Sequence, residues 1–112
     1  MKIHTYYSDS GRDKIMEYIS SLSQVEQIDA FSVLQCMEND EFEKIEFKQW
    51  QKKIYEVYFQ KHNRIFYVAA DGENIYLLHA CKKQKNRTEQ KDKNTVLKRA
   101  KELGTRLGKK FV

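Results

Sequence analysis

Near residue 53 the spacing of apolar side chains changes from every third or fourth position to every second. The new period holds through three runs, residues 54–59 (IYEVYF), 64–70 (RIFYVAA) and 74–81 (NIYLLHAC). His62-Asn63 and Asp71-Gly72-Glu73 supply turn chemistry between them. A parallel crossover takes about a dozen residues or more, so gaps this short predict an antiparallel meander. The rest of the chain must pack on that sheet.

The flanks read mostly as helix. Residues 2–7 (KIHTYY) have the composition of an edge strand. Ser10-Gly11-Arg12-Asp13 offers a helix start, and Ile15, Ile19 and Leu22 follow on one stripe. Ser23-Gln24-Val25-Glu26 is a capping box, after which Val25, Ile28, Phe31 and Leu34 keep helical spacing. A turn near residues 21–23 makes these two helices a hairpin. Beyond a basic linker, residues 82–93, the series Val96, Leu97, Ala100, Leu103 and Leu107 predicts a last amphipathic helix. Gly104 is expected to end or weaken it. The predicted class is α+β, with the order β-α-α-β-β-β-α.

With 112 residues, no proline and no repeat, the chain is read as one domain, 1–112. That length excludes a large multi-site enzyme or a repeat array. A mean hydropathy of −0.81 and the absence of a long apolar run argue against a membrane partner. The first ten residues, MKIHTYYSDS, hold no uninterrupted apolar segment, so no secretory signal is expected and the chain is placed in the cytoplasm. Cys36 and Cys81 then read as reduced, buried side chains. His4, His62 and His79 are scattered, so no metal and no cofactor is expected.

Charge is unevenly spread. The net value is +5, yet residues 1–81 carry −4 and residues 82–112 carry +9. A positive quarter of this kind favours a polyanion, and nucleic acid is the commonest one. The acidic stretch at 38–46 (ENDEFEKIE) reads as a polar loop. Alternation puts Glu56 and Tyr58 on one side of their strand. Pairing can bring them to one mouth with Arg64, Lys82 and Lys83. In strand 74–81, Ile75, Leu77, His79 and Cys81 are expected on one face, and Tyr76, Leu78, Ala80 and Lys82 on the other. His79 reads as a core histidine.

Such a cluster has the parts for cutting RNA. Arg64 offers a planar fork for two phosphate oxygens. Lys82 and Lys83 add point charges against the negative charge that grows in the transition state. Glu56 can act as base, and Tyr58 or a lysine as acid or base. Catalytic candidates are therefore Arg64, Lys82, Lys83 and Glu56, and substrate-binding candidates are Tyr58, Lys48, Lys85 and Arg87. The interleaved aromatic rings could stack unpaired bases.

The segments I-Y-E-V-Y (54–58), N-R-I-F-Y (63–67), I-Y-L-L-H-A-C-K-K-Q-K (75–85) and V-L-K-R-A (96–100) resemble the RelE/ParE superfamily of toxins. The likeness is to the HigB-like, phage-derived-protein branch. It implies a RelE-like fold and a toxin of a type II toxin–antitoxin pair. Such a toxin is an mRNA endoribonuclease, metal-independent and acting on the ribosome. Its 2′-hydroxyl attack leaves a cyclic phosphate. The implied partner is an antitoxin of helix-turn-helix type, held in a hetero-oligomer.

By the same resemblance Arg64 matches the arginine at the scissile phosphate, Lys82 and Lys83 the basic pair, and Glu56 the branch's glutamate. Tyr58 stands where the pattern has arginine, and Ala80-Cys81 replaces glycine-phenylalanine. The catalytic tyrosine near the C-terminus of RelE-type relatives has no counterpart, since this chain reads Arg87-Thr88-Glu89 there. Three rival readings stay open: a non-catalytic module of double-stranded-RNA-binding type, a gyrase-poisoning toxin of the same superfamily, and a protein-binding fold with a basic tail.

Overall fold

The computed structural model describes residues 1–60, 62–83 and 88–112. Its elements run β1 (Lys2–His4), α1 (Lys14–Ser20), α2 (Gln24–Glu38), a 3-10 turn (Phe42–Lys44), β2 (Glu46–Gln51), β3 (Ile54–Phe59), β4 (Asn63–Ala69), β5 (Asn74–Lys82) and α3 (Gln90–Leu107). Among the described residues five strands make one mixed sheet in the order β1-β5-β4-β3-β2. β1 runs parallel to β5, and every other pairing is antiparallel. The expected α+β class and the central meander are present.

The strand β2 extends that expectation. Residues 46–51 carry no strand signal, because the run EFKQWQ is polar and largely exposed, which removes the alternation a half-buried strand displays. The turn into β3 is made by Lys52 at φ 52°. A left-handed residue that is not glycine leaves no turn signature in the sequence.

The helices lie on both faces. The α1–α2 hairpin covers a core of Ile15, Ile19, Ala30, Leu34 and Met37 against Val57, Ile65, Tyr67, Ile75 and Leu77. Helix α3 covers the other face, where Val96, Ala100 and Leu103 meet Ile54, Phe66, Val68, Leu78 and Cys81. No described helix is long and apolar enough to cross a membrane.

The cap of α1 is Asp13, whose carboxylate accepts from the backbone of Ile15 and Met16. Ser10 instead sits in the preceding turn, its hydroxyl against that of Ser8. The capping box of α2 is formed as read, Ser23 and Glu26 satisfying each other's backbone donors. Its predicted stripe is only partly inward, however. Leu34 is buried, but Val25, Ile28 and Phe31 face outward, and the core is filled by Ala30, Leu34 and Met37.

Strand β5 departs from simple alternation. Phe66 pairs with His79 while Tyr67 pairs with Leu77, so Leu78 is an extra residue in β5. The bulge moves His79 and Cys81 to the α3 face, beside Leu78, and leaves Ile75, Leu77 and Ala80 under the hairpin. The expected face assignment is therefore right before the bulge and reversed after it.

Gly104 does not end α3, which continues to Leu107 and closes on Gly108 at φ 67°. Its lack of a side chain serves the chain's return. A Cβ at 104 would sit 2.5 Å from the carbonyl oxygen of Lys109, whose amide donates to the Gly104 carbonyl. That approach lets Phe111 fold back into the α3 core. Gly104→Ala should therefore lower the urea midpoint, at a cost of about 1–3 kcal/mol from overpacking, although alanine alone favours helix. Equal or greater stability of the variant would contradict this packing.

Candidate active site

Cross-strand pairing lays two rows of side chains over the α3 face. One row is Lys48, Glu56, Phe66 and His79, and the other is Glu46, Tyr58, Arg64 and Cys81. Each row takes one residue from each of β2, β3, β4 and β5, so the register alone brings a cation, a carboxylate, a phenol and a guanidinium together.

At the centre Arg64 Nη1 lies 3.7 Å from Glu56 Oε2, with side-chain exposures of 3% and 1%. That separation exceeds a hydrogen bond. Among the described residues, Arg64 Nε and Nη2, Glu56 Oε2 and Tyr58 Oη are buried without any partner. Native interiors hold few such atoms. Burial pushes the Glu56 carboxyl above its ordinary range, against the opposing pull of Arg64, Lys48 and Lys83. Folding thus favours its acid form, and the site costs stability as pH rises past that range.

Lysines close the cluster. Lys48 Nζ is 3.9 Å from Glu56 Oε1 and 5.7 Å from the centre of the Tyr58 ring. Lys83 Nζ stands 5.3 Å from the same ring. The Arg64 guanidinium lies over Phe66 at 5.2 Å, a cation–π contact that holds the fork in place without using its donors. Three cations and one proton-exchanging carboxyl therefore converge around Tyr58. The arrangement can grip an anion and move a proton.

The structure separates the two adjacent lysines. Lys83 is on the Arg64 side, while Lys82 Nζ reaches the opposite side and bonds to Glu26 of α2 at 3.0 Å. The expectation that both would reach one mouth is corrected: successive strand residues point to opposite faces, and no bulge lies between them. Lys82 joins a different network. Glu26 also accepts from Asn63 Nδ2 at 2.7 Å, and the Asn63 amide oxygen accepts from the Tyr18 hydroxyl at 2.5 Å. Lys85 and Arg87 lie outside the described residues.

His79, read as a core residue, connects β5 to α3. Its Nε2 is 2.8 Å from Asp92 Oδ1, and Arg99 Nη1 is 3.4 Å from its Nδ1. A guanidinium only donates, so Nδ1 accepts and Nε2 carries the proton given to Asp92. Burial lowers the His79 pKa, outweighing Asp92. Cys81 Sγ joins His79 and Asp92 within 4.8 Å, a mixed donor set of zinc type. The tautomer imposed by Arg99, and its positive charge, oppose that use; burial also pushes the Cys81 thiol up to about 11. Asp92 and Arg99 escaped the sequence reading because their only signal is a contact across 13 to 20 residues.

The family model described as Phage derived protein Gp49-like (DUF891) matches residues 17–101. That span runs from within α1 to within α3 and takes in every strand of the two rows. No curated protein gives a significant match.

The Lys82 network makes a testable statement about pH. Hydrogen bonds from Asn63, then Lys82 and Ser23, hold the Glu26 carboxyl down to about 2. A lowered folded-state pKa means stability present above the unfolded value near 4.5 and lost as pH falls towards 2. Thermal melting of the wild type should therefore drop across that window. Glu26→Gln should melt lower at neutral pH and converge on the wild type at the acid end. Parallel curves would show that the network adds no pH-dependent stability.

Proposed function

Since the chain belongs to the Gp49-like phage-derived protein family, a RelE/HigB-like toxin family of toxin–antitoxin systems, we propose that it is an endoribonuclease toxin. In this reading it acts on mRNA in the cytoplasm, in HigB fashion, at the ribosome, and residues 1–112 form one toxin domain. Family membership implies an antitoxin partner. The helix-turn-helix type of that partner, and a toxin–antitoxin hetero-oligomer, are further parts of the proposal. The observation that carries the nuclease reading is the buried Arg64 fork with two unpartnered donor atoms, set beside unpartnered Glu56 and Tyr58.

The proposed chemistry needs only side chains. Arg64 Nε and Nη2 are shut from solvent in the free chain, so binding opens the cover over them, and they then hold two non-bridging oxygens of the scissile phosphate. Glu56, made more basic by burial, takes the proton of the 2′-hydroxyl, whose oxygen attacks phosphorus. Lys48 and Lys83 balance the negative charge of the phosphorane. The 5′-oxygen leaves with the Tyr58 hydroxyl proton, so the products are a 2′,3′-cyclic phosphate and a 5′-hydroxyl end. Tyr58 thereby takes a role that an arginine, whose guanidinium keeps its protons at neutral pH, fills poorly. Lys82 acts at a distance, by fixing the end of β5 from which Lys83 projects. Lys85 and Arg87 are proposed to follow the RNA backbone.

The test is incubation of purified chain with mRNA and ribosomes in EDTA, followed by end-group analysis. Cleavage with cyclic phosphate ends is expected. Arg64→Ala should lower kcat/KM by about 10²–10³-fold, in line with loss of a transition-state donor. Lys83→Ala and Tyr58→Phe should each cost more than Lys82→Ala, and Tyr58→Phe should keep RNA affinity. Binding without cutting would favour a recognition module, and DNA breaks in cells a gyrase poison. Either result refutes the nuclease reading.

A further inference from the structure

Helix α2 is apolar on both of its sides. Ala30, Leu34 and Met37 fill the core, while Val25, Ile28 and Phe31 remain 61%, 60% and 47% exposed. By contrast, α3 buries Val96, Ala100 and Leu103 and presents lysines outward. Gln24, Ser32 and Gln35 of α2 lie exposed as well, but three large exposed apolar side chains on one side of a helix in a small fold mark a side that is also covered. Val25, Ile28 and Phe31 succeed each other at intervals of three, so they form one stripe rather than scattered contacts.

The border of that stripe identifies what covers it. Helix α2 carries Glu26, Asp29 and Glu38 and no lysine or arginine. Glu26 is paired with Lys82, and Asp29 accepts from the neutral Gln60 Nε2, so Asp29 and Glu38 are the uncompensated charges beside the outer side. Nucleic acid is repelled from such a surface. A second copy fits poorly as well, because α2 against α2 sets acid against acid. The basic helix α3, for its part, has its apolar stripe under the sheet.

We propose that the outer side of α2 docks a basic amphipathic helix of another protein. Its apolar residues would sit along Val25, Ile28 and Phe31, and its lysines or arginines would face Asp29 and Glu38. The inference rests on the toxin–antitoxin reading only in taking the antitoxin as that protein. The surface is distinct from the Arg64 cluster, since α2 packs on the other face of the sheet.

The probe is a fluorescein-labelled designed helix of about 18 residues, long enough to fold on docking, with a leucine stripe flanked by lysines. Anisotropy with the full chain should show saturable binding that weakens with salt. The double variant Ile28→Asp/Phe31→Asp should bind about tenfold more weakly or worse, a loss of about 1.4 kcal/mol or more. The same leucine stripe flanked by glutamates should bind as poorly to the wild type. Both substituted residues are exposed, so far-UV circular dichroism and RNA affinity should stay unchanged. Absence of binding, equal binding by the double variant, or equal binding of the acidic peptide would overturn the proposal. So would a wild-type dimer that Ile28→Asp dissolves, which would make the occupant a second copy. The readout is docking alone, so a failed cleavage assay would count against the nuclease reading and leave this one standing.

Discussion

A guanidinium and a carboxylate sit 3.7 Å apart in the middle of the sheet, almost wholly out of water, with polar atoms to spare. Such a pair gains too little from its mutual attraction to offset the loss of water around both charges. A fold selected for stability alone would place apolar side chains there. Phe66 supports the fork from below, β2 brings Lys48 to the carboxylate, and α3 roofs the face with Val96 and Ala100. The unsatisfied donors are a standing cost that a bound anion would remove, which is how a preorganised site differs from a structural ion pair.

The sheet makes this possible because its two faces have different occupants. Asn63 starts β4 and reaches the hairpin side, where it ties Tyr18 to Glu26; Arg64, the next residue, points to the α3 side. Lys82 and Lys83 divide in the same way at the end of β5. At both places one residue anchors the helical hairpin and its neighbour joins the cation cluster. The geometry of the cluster is therefore tied to the seating of α2.

The sequence made the meander legible because three runs with clear turns between them admit one connectivity. It also brought Glu56, Tyr58 and Arg64 to one face, since a period of two needs nothing more. Other features left no trace. The polar strand β2 hid the reason why Lys48 belongs with Glu56. The bulge at Leu78 falls within L-L-H-A-C, where every residue is apolar or half-buried and a skipped position cannot be seen. In α2 the residues 25, 28 and 31 and the residues 30, 34 and 37 are both apolar series at helical spacing. Only the packing decides which of them is the core. His79 read correctly as interior, but Asp92 and Arg99 become its partners only after the chain has folded back.

Charge then sorts what can approach each face. Helices α1 and α2 together carry more carboxylates than cations and α3 more cations than carboxylates, so the helices on the two sides of one sheet differ in sign. A polyanion is drawn to the α3 side, where Arg64, Lys48 and Lys83 lie, and repelled from α2. On the proposed reading, the apolar stripe on α2 would be left free by RNA for the same reason and would stay open to a basic protein segment. If both proposals hold, one distribution of lysines and carboxylates sorts different partners to the two faces, and neither face needs a feature whose only task is to exclude the other's ligand.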